Sequence, residues 1–531
     1  MKMHFLKLFM VSALVVCFTP SCTDLEEEVF SEFTEDNFPN SEPEFISALG
    51  ATYTSLYGFG GHNGFFSMQE VASDEIMIPQ RGSDWFDGGQ WLRFHRHEYT
   101  PNEESVNNGW NFLYGGINNC NRVTALFESL VADGSVEADL ANGFIAEVKA
   151  LRALFYFWLL DGYGNVPIVT SFADADPNPP TVPRAEVYAF VEAELLDAAG
   201  KVSRSVDAST YARMNYATVQ ALLAKLYINA EVYTGTPQWA KAHAAAEEVI
   251  NSGSFSLEGN YFSNFNARND GSSENIFVIP YDRNQAGGFF IPAQTLHYGS
   301  QATFNLAFQP WNGYCSLQEF YDSYEDGDAR KGTPGDQAVR GNFHAGPQFA
   351  SDGSTPIIDE SATDPDGPEL VFTPEINQHF PNCFRQAGAR VGKFEYVNGA
   401  TENLDNDFPI LRYSDVLLVK AEAIMRDPSL GDMGDALQIV NDIRQRAGAD
   451  AFSELNDENL LAERGREFFY EGWRRNDLIR FGAYQGDWDF KRDPDDRDAT
   501  AESPESTDLE LFPIPTNQLS ANPALMQNPG Y

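Results

Sequence analysis

The chain has 531 residues, with 35 Lys+Arg against 78 Asp+Glu and a formal net charge of −43. That balance excludes nucleic acid as a partner, because binding a polyanion depends on clustered cations that displace its counterions. Hydrophobic residues at 43% and aromatics at 13% supply a core, which excludes global disorder despite the charge.

The N-terminus decides the compartment. Lys2 and Lys7 mark a basic start, an apolar run follows over residues 8–18, and Thr19-Pro20-Ser21-Cys22 closes it. This is the layout of a secretory signal. The run is far short of the roughly 20 residues that a membrane span needs. Removing residues 1–21 takes away two lysines and no acid, so −43 becomes −45. A cysteine directly after such a run, behind a small residue, resembles the cleavage and lipidation site of a bacterial lipoprotein, so Cys22 is expected to carry the lipid. Residues 22–40, with Asp24, Glu26, Glu27 and Glu28, read as an acidic tether.

From residue 41 the apolar spacing predicts helices over 41–57, 110–130, 145–160, 184–199, 215–233, 238–251, 413–426, 435–446 and 458–481. Two helix pairs share a register. Leu226, Ala230 and Tyr233 are expected to face Ala242, Ala246 and Val249, and Leu417, Ala421 and Ile424 to face Ala436, Val440 and Ile443. Small residues at these spacings let two helices approach closely, as in tetratricopeptide units or in any alanine-rich hairpin. The scaffold is therefore expected mainly in 41–57, 110–254 and 411–482. Segments 58–109 and 255–410 lose this periodicity and fill with Gly, Pro, Asn, Asp and aromatics. Long irregular stretches inside a folded chain usually carry function.

Signatures of catalysis and metal binding are weak. There is no HExxH, GxSxG or P-loop. Cys120, Cys315 and Cys383 have no CxxC spacing and are expected as free, buried thiols. His95 and His97 alternate as on one strand face but lack a third ligand. Glu463, Glu467 and Glu471 share a predicted helix face with Arg464, Arg466, Arg474, Arg475 and Arg480 nearby, which reads as an ion-pair network. Asp322, Asp326 and Asp328 resemble a calcium loop without its terminal bidentate Glu. No cofactor is expected; a structural calcium there is the one alternative.

Four stretches resemble the SusD/RagB family of outer-membrane lipoproteins: residues 147–169 (EVKALRALFYFWLLDGYGNVPIV), 407–422 (DFPILRYSDVLLVKAE), 463–480 (ERGREFFYEGWRRNDLIR), and 511–515 (LFPIP) with 527–531 (QNPGY). Ser73-Asp74-Glu75 adds to them. The resemblance implies a mainly α fold over 41–531, a SusD-like α-superhelix with tetratricopeptide-like helix pairs as scaffold and an irregular, loop-rich ligand-binding lobe. It also implies a non-catalytic, surface-exposed lipoprotein of the cell outer membrane. Such a protein captures an oligo- or polysaccharide and acts as lid to a SusC-like TonB-dependent transporter. A peptide-binding RagB-like uptake protein and a secreted polysaccharide hydrolase or lyase are the alternatives.

A sugar ring has an apolar C–H face and a rim of hydroxyls, so its site needs aromatic plates beside planar polar groups. Arg81, Asp84, Trp85 and Trp91 supply one such cluster and Tyr298, Trp311, Asn312 and Tyr314 a second. These eight are the candidate glycan contacts. The net charge favours a neutral glycan, unless Arg81 and Arg93 locally reverse it.

Overall fold

The computed structural model describes residues 42–365 and 367–531. The leader, Cys22 and the acidic tether lie outside the described residues. Residues 46–531 form one unit. No described helix is long and apolar enough to cross a membrane.

Helix α1 (Glu42–Tyr53) is followed by short α2 (Phe65–Val71) and α3 (Gln90–His95). The scaffold then runs through α4 (Glu104–Ala132), α5 (Ala138–Gly162), α6 (Arg184–Ala199), α7 (Tyr216–Ile228) and α8 (Trp239–Asn251). It resumes with α9 (Tyr413–Arg426), α10 (Met433–Arg446), α11 (Asp457–Phe468) and α12 (Arg474–Arg480). Each of α4 to α10 packs on the next in this order, α8 meeting α9 across the long irregular segment. The C-terminal half of α5 is enclosed on every side, and every residue from Ala150 to Gly162 is buried.

The two predicted helix pairs form. Leu226, Ala230 and Tyr233 are buried with Ala242, Ala246 and Val249. In the second pair the core residue is Leu418 rather than Leu417, packed with Ala421, Ile424, Ala436, Val440 and Ile443. Two predicted helices are interrupted. The 215–233 helix breaks at Asn229, whose amide Nδ2 donates to its own helix at Lys225 O. The 458–481 helix stops at Phe468 and restarts at Arg474, because Tyr470 (φ 58°) and Gly472 (φ 80°) turn the chain through left-handed backbone.

That turn reorganises the expected ion pairs. Glu463 and Glu467 are fully buried, but their main partners come from other elements. Arg330 reaches both, at 2.8 and 3.0 Å, Arg444 reaches Glu463 at 2.7 Å, and Arg412 and Arg446 reach Glu467 at 2.8 and 2.6 Å. Glu471, past the helix end, binds Arg412 and Lys393. Of the arginines of this stretch, Arg466 pairs with Glu463 at 3.2 Å as expected, while the others bind other acids: Arg464 to Asp415 and Asp477, Arg474 to Asp74, and Arg480 to Glu422.

Four short antiparallel pairings organise the irregular segments. Asn275–Ile279 pairs with Phe408–Arg412, Ile76–Met77 with Cys315–Ser316, Phe343–His344 with Arg390–Val391, and Gly346–Pro347 with Val371–Phe372. The second pairing joins segment 58–109 to segment 255–410, and that junction carries the site described next.

Candidate ligand-binding site

The candidate residues cluster around one turn and one close backbone approach. Arg81 and Asp84 exchange backbone hydrogen bonds at 3.0 and 3.2 Å, with Gly82 at φ 67°, so the chain reverses over four residues. Trp85 (φ 63°) and Asp87 (φ 39°) follow in left-handed backbone, and Gly88 and Gly89 allow α3 to begin. The turn delivers the Trp85 indole onto Gly313. A Cβ built on Gly313 would lie 2.3 Å from the Trp85 ring, so only glycine fits there. The Trp85 Nε1–H donates to the Trp311 carbonyl at 2.7 Å. The Trp85 indole thus meets the backbone of Trp311, from a segment more than 200 residues away, and His62 lies against both half-buried indoles.

Tyr298 lies on the same side of the cluster. Its hydroxyl donates to the Asp84 carboxylate, and the Arg385 guanidinium sits 4.7 Å from its ring centre. Burial and the Asp84 charge hold the Tyr298 hydroxyl protonated, well above the ordinary phenol value. Arg385 is anchored in turn to Asp359 at 2.6 Å, and Asp359 takes a hydrogen bond from His297 Nε2 at 2.9 Å. The Gly299 N–H donates to His297 Nδ1 at 3.0 Å, so the imidazole is neutral with its proton on Nε2; burial lowers its pKa to about 4.

The other four candidates are internal. Trp91 is 1% exposed and ties its Nε1–H to Asp87 at 2.7 Å. Tyr314 is 0% exposed, and its hydroxyl is shared between Ser67 and His62 at 2.7 and 3.1 Å. Buried Asn312 (φ 57°) donates to the Arg385 carbonyl and accepts from Arg390. Arg81 donates to the carbonyls of Asn312, Phe384 and Ala387. Buried side chains with satisfied polar groups shape a surface rather than touch a ligand. The structure therefore places Arg81, Trp91, Asn312 and Tyr314 beneath the surface, with their side chains engaged inside the protein. It leaves Asp84, Trp85, Tyr298 and Trp311 at the surface.

Composition alone did not single out the neighbours of these four. His62 lies edge-on to Trp85 at 5.1 Å and within 6.0 Å of Trp311; Phe290 lies 6.3 Å from Trp311; Phe86 is 48% exposed. Phe86 directly follows Trp85 in the chain, so an aromatic in a Gly/Asp-rich turn was the available signal. A crevice of about 10 Å³ lies on the other side of the turn, between Trp85, Phe86, His379 and Phe380.

The remaining motifs resolve as structural. His95 and His97 point to different partners, His95 Nε2 to the Asp489 carbonyl at 2.8 Å and His97 Nδ1 to Glu505 at 2.7 Å, and together they fasten the 484–505 segment. Asp328 of the calcium-like loop is held by Arg330 at 2.7 Å. Among the described residues no three His, Cys, Asp or Glu are placed to hold a metal. Cys120, Cys315 and Cys383 are free and buried.

Comparison with known proteins places this architecture. A family model described as "Starch-binding associating with outer membrane" matches residues 59–228, and the SusD family model matches 388–531; together they cover more than half of the chain. The chain is 27% identical to the starch-binding protein SusD of Bacteroides thetaiotaomicron, over 73% of this chain and 72% of that one. It is 24% identical to SusD-like protein P25 of Formosa agariphila, over 96% of each. Among solved structures, a SusD superfamily protein from Parabacteroides distasonis superposes with a TM-score of 0.71 at 22% identity, covering 94% and 100% of the two chains. Surface glycan-binding protein A from Bacteroides thetaiotaomicron, in complex with laminarihexaose, superposes with a TM-score of 0.70 at 23% identity, covering 92% and 99%. The mainly helical fold is that of the SusD superfamily. The chain belongs to the SusD family.

Proposed function

We propose that the protein is a non-catalytic outer-membrane lipoprotein that binds a neutral oligo- or polysaccharide at the cell surface. On this reading it passes the ligand to a SusC-like TonB-dependent transporter and acts as its lid. The observation that carries the glycan reading is a partly exposed aromatic cluster: Trp85 locked over Gly313 and bonded to the Trp311 carbonyl, His62 against both indoles, and the Tyr298–Asp84 pair joined to the same turn. Indole and phenol faces take the C–H face of a sugar, and the Asp84 carboxylate takes hydroxyl protons. Relatives named for binding starch, or solved with laminarihexaose, support the same class of ligand.

Local charge supports a neutral glycan. Arg81 is spent on internal carbonyls and Arg93 is paired with Glu103 at 2.6 Å, so neither offers a free cation to a uronate or sulfate. Screening the purified protein against neutral and acidic polysaccharides, with reducing ends assayed in parallel, tests the reading. Binding of neutral glycans without release of reducing ends is expected. Turnover at enzyme-like rates, or binding confined to acidic glycans, would overturn it.

A further inference from the structure

Arg385 is the one cation joined to the candidate site that keeps a donor unspent. Its guanidinium has two edges. On one, Nε donates to the Asp359 carboxylate at 2.6 Å and Nη2 lies 3.4 Å from the same group. Nη1, on the other edge, makes no hydrogen bond among the described residues, is not among the buried orphan atoms, and belongs to a side chain that is 26% exposed. The neighbouring arginines differ. Arg81 and Arg390 are buried and spend both Nη atoms on acceptors inside the protein. An arginine that only closed the fold would be used in the same way.

The free edge is also held in place. The guanidinium carbon lies 4.7 Å from the Tyr298 ring centre, so the fork rests on the phenol. Asp359 in turn takes hydrogen bonds from His297 Nε2 at 2.9 Å and the Ser361 N–H at 3.0 Å. The bond from His297, opposed by burial and joined by those from Arg385 and Ser361, holds the Asp359 carboxyl far below its ordinary value. A donor fixed in this way loses little side-chain entropy when a ligand arrives.

The same phenol carries an acceptor. Its hydroxyl donates to Asp84 Oδ2, while Asp84 Oδ1 takes only the Ser83 hydroxyl at 3.3 Å. A carboxylate has about four lone-pair sites, so Asp84 keeps capacity for further donors. One ring therefore holds a free donor over its face and a free acceptor at its tip. Asp359 cancels the Arg385 charge and Asp84 stays negative, which disfavours a carboxylate or sulfate. A sugar hydroxyl, which both donates and accepts, fits the pair.

We infer that Arg385 is a ligand-contacting and specificity-determining residue. Its Nη1 donates to one hydroxyl of an uncharged sugar while Asp84 accepts from another. The inference rests on the glycan reading above and adds to it the group that selects hydroxyls over acids.

Calorimetric titration of the whole protein with laminarihexaose, maltohexaose and hexagalacturonate tests it, on the parent, Arg385→Gln and Trp85→Ala. Arg385→Gln is expected to weaken binding of the neutral hexasaccharide roughly tenfold or more, the margin of a charge-assisted hydrogen bond. Hexagalacturonate is expected to bind the parent more weakly than the neutral hexasaccharide; equal or tighter binding would overturn the selection. A crystal structure of the parent with the bound hexasaccharide gives a readout independent of any variant's folding. It is expected to place a sugar oxygen within about 3.2 Å of Arg385 Nη1. Parent affinity in Arg385→Gln with loss in Trp85→Ala, or a bound glycan that leaves Nη1 to water, would overturn the inference and leave the glycan reading standing. A parent that binds neither neutral hexasaccharide would overturn both.

Discussion

Trp85 and Trp91 stand six residues apart in one Gly- and Asp-rich stretch, and the structure gives them opposite roles. Trp85 sits at the surface because Gly313 admits its ring, whereas Trp91 is sealed among His62, Phe94 and Tyr314. Gly313→Ala is therefore expected to displace the Trp85 indole and weaken glycan binding with the fold retained, as calorimetry and circular dichroism would report. Trp91→Ala is expected to cost about 3–5 kcal/mol of stability through the cavity it leaves, measured by urea unfolding. The sequence identified the aromatic types and the two segments. It did not separate surface from interior, because irregular backbone has no period from which burial can be read.

A residue-scale pH effect lies beneath the same lobe. Glu70 and Glu75 are both buried; each accepts one backbone N–H, from Gly472 at 2.6 Å and Tyr470 at 3.0 Å, and each leaves its other oxygen to its neighbour. Burial, joined by the Glu70 charge, raises Glu75 well above the ordinary glutamate value, so the pair keeps a proton in the folded state. A folded pKa above the unfolded one gives stability that is full below the ordinary glutamate range and is lost as pH rises through the folded value. Glu75→Gln mimics the protonated acid, and its melting temperature is expected to fall less than that of the wild type between about pH 5 and about pH 8. Parallel pH profiles would contradict this assignment.

At the scale of elements, helices α6 and α9 coincide with their predicted spans 184–199 and 413–426, where the apolar stripe and flanking turn residues agree. The predicted 458–481 helix did not survive, because the left-handed turn at Tyr470–Gly472 has only one glycine to announce it. An ion-pair network was legible from the charges. Its wiring was not, since Arg330, Arg412 and Arg446 converge on Glu463 and Glu467 from distant parts of the chain. Burial pushes the Glu467 carboxyl up, but the guanidiniums of Arg446, Arg412 and Arg330 outweigh it and hold the group far below its ordinary value. Arg330→Met leaves buried acids underpaired and is expected to cost about 3–5 kcal/mol. A urea midpoint close to wild type would show that the network reorganises without loss.

At the scale of the whole molecule, the four recognised motifs hold one another. Asp161 of the first accepts from Asn476 of the third at 2.6 Å, and Asp415 of the second binds Arg464 of the third at 2.8 Å. The Phe512 N–H of the last donates to the Gly162 carbonyl at 2.8 Å. The motifs thus made the family legible in sequence by recording how the scaffold closes, and for the same reason they carry no information about the ligand. The N-terminal expectation has its own test: Cys22→Ala is expected to shift the protein from the membrane fraction to the soluble one, and retention in the membrane would contradict lipid anchoring at that residue.

The central claim is that the Trp85–Trp311 cluster binds a neutral glycan, and calorimetric titration with neutral α- and β-glucan oligosaccharides tests it most directly. Trp85→Ala and Trp311→Ala are each predicted to weaken binding by roughly 1–4 kcal/mol, with the fold intact. Wild-type affinity in both variants, or no neutral glucan bound by the parent protein, would contradict it.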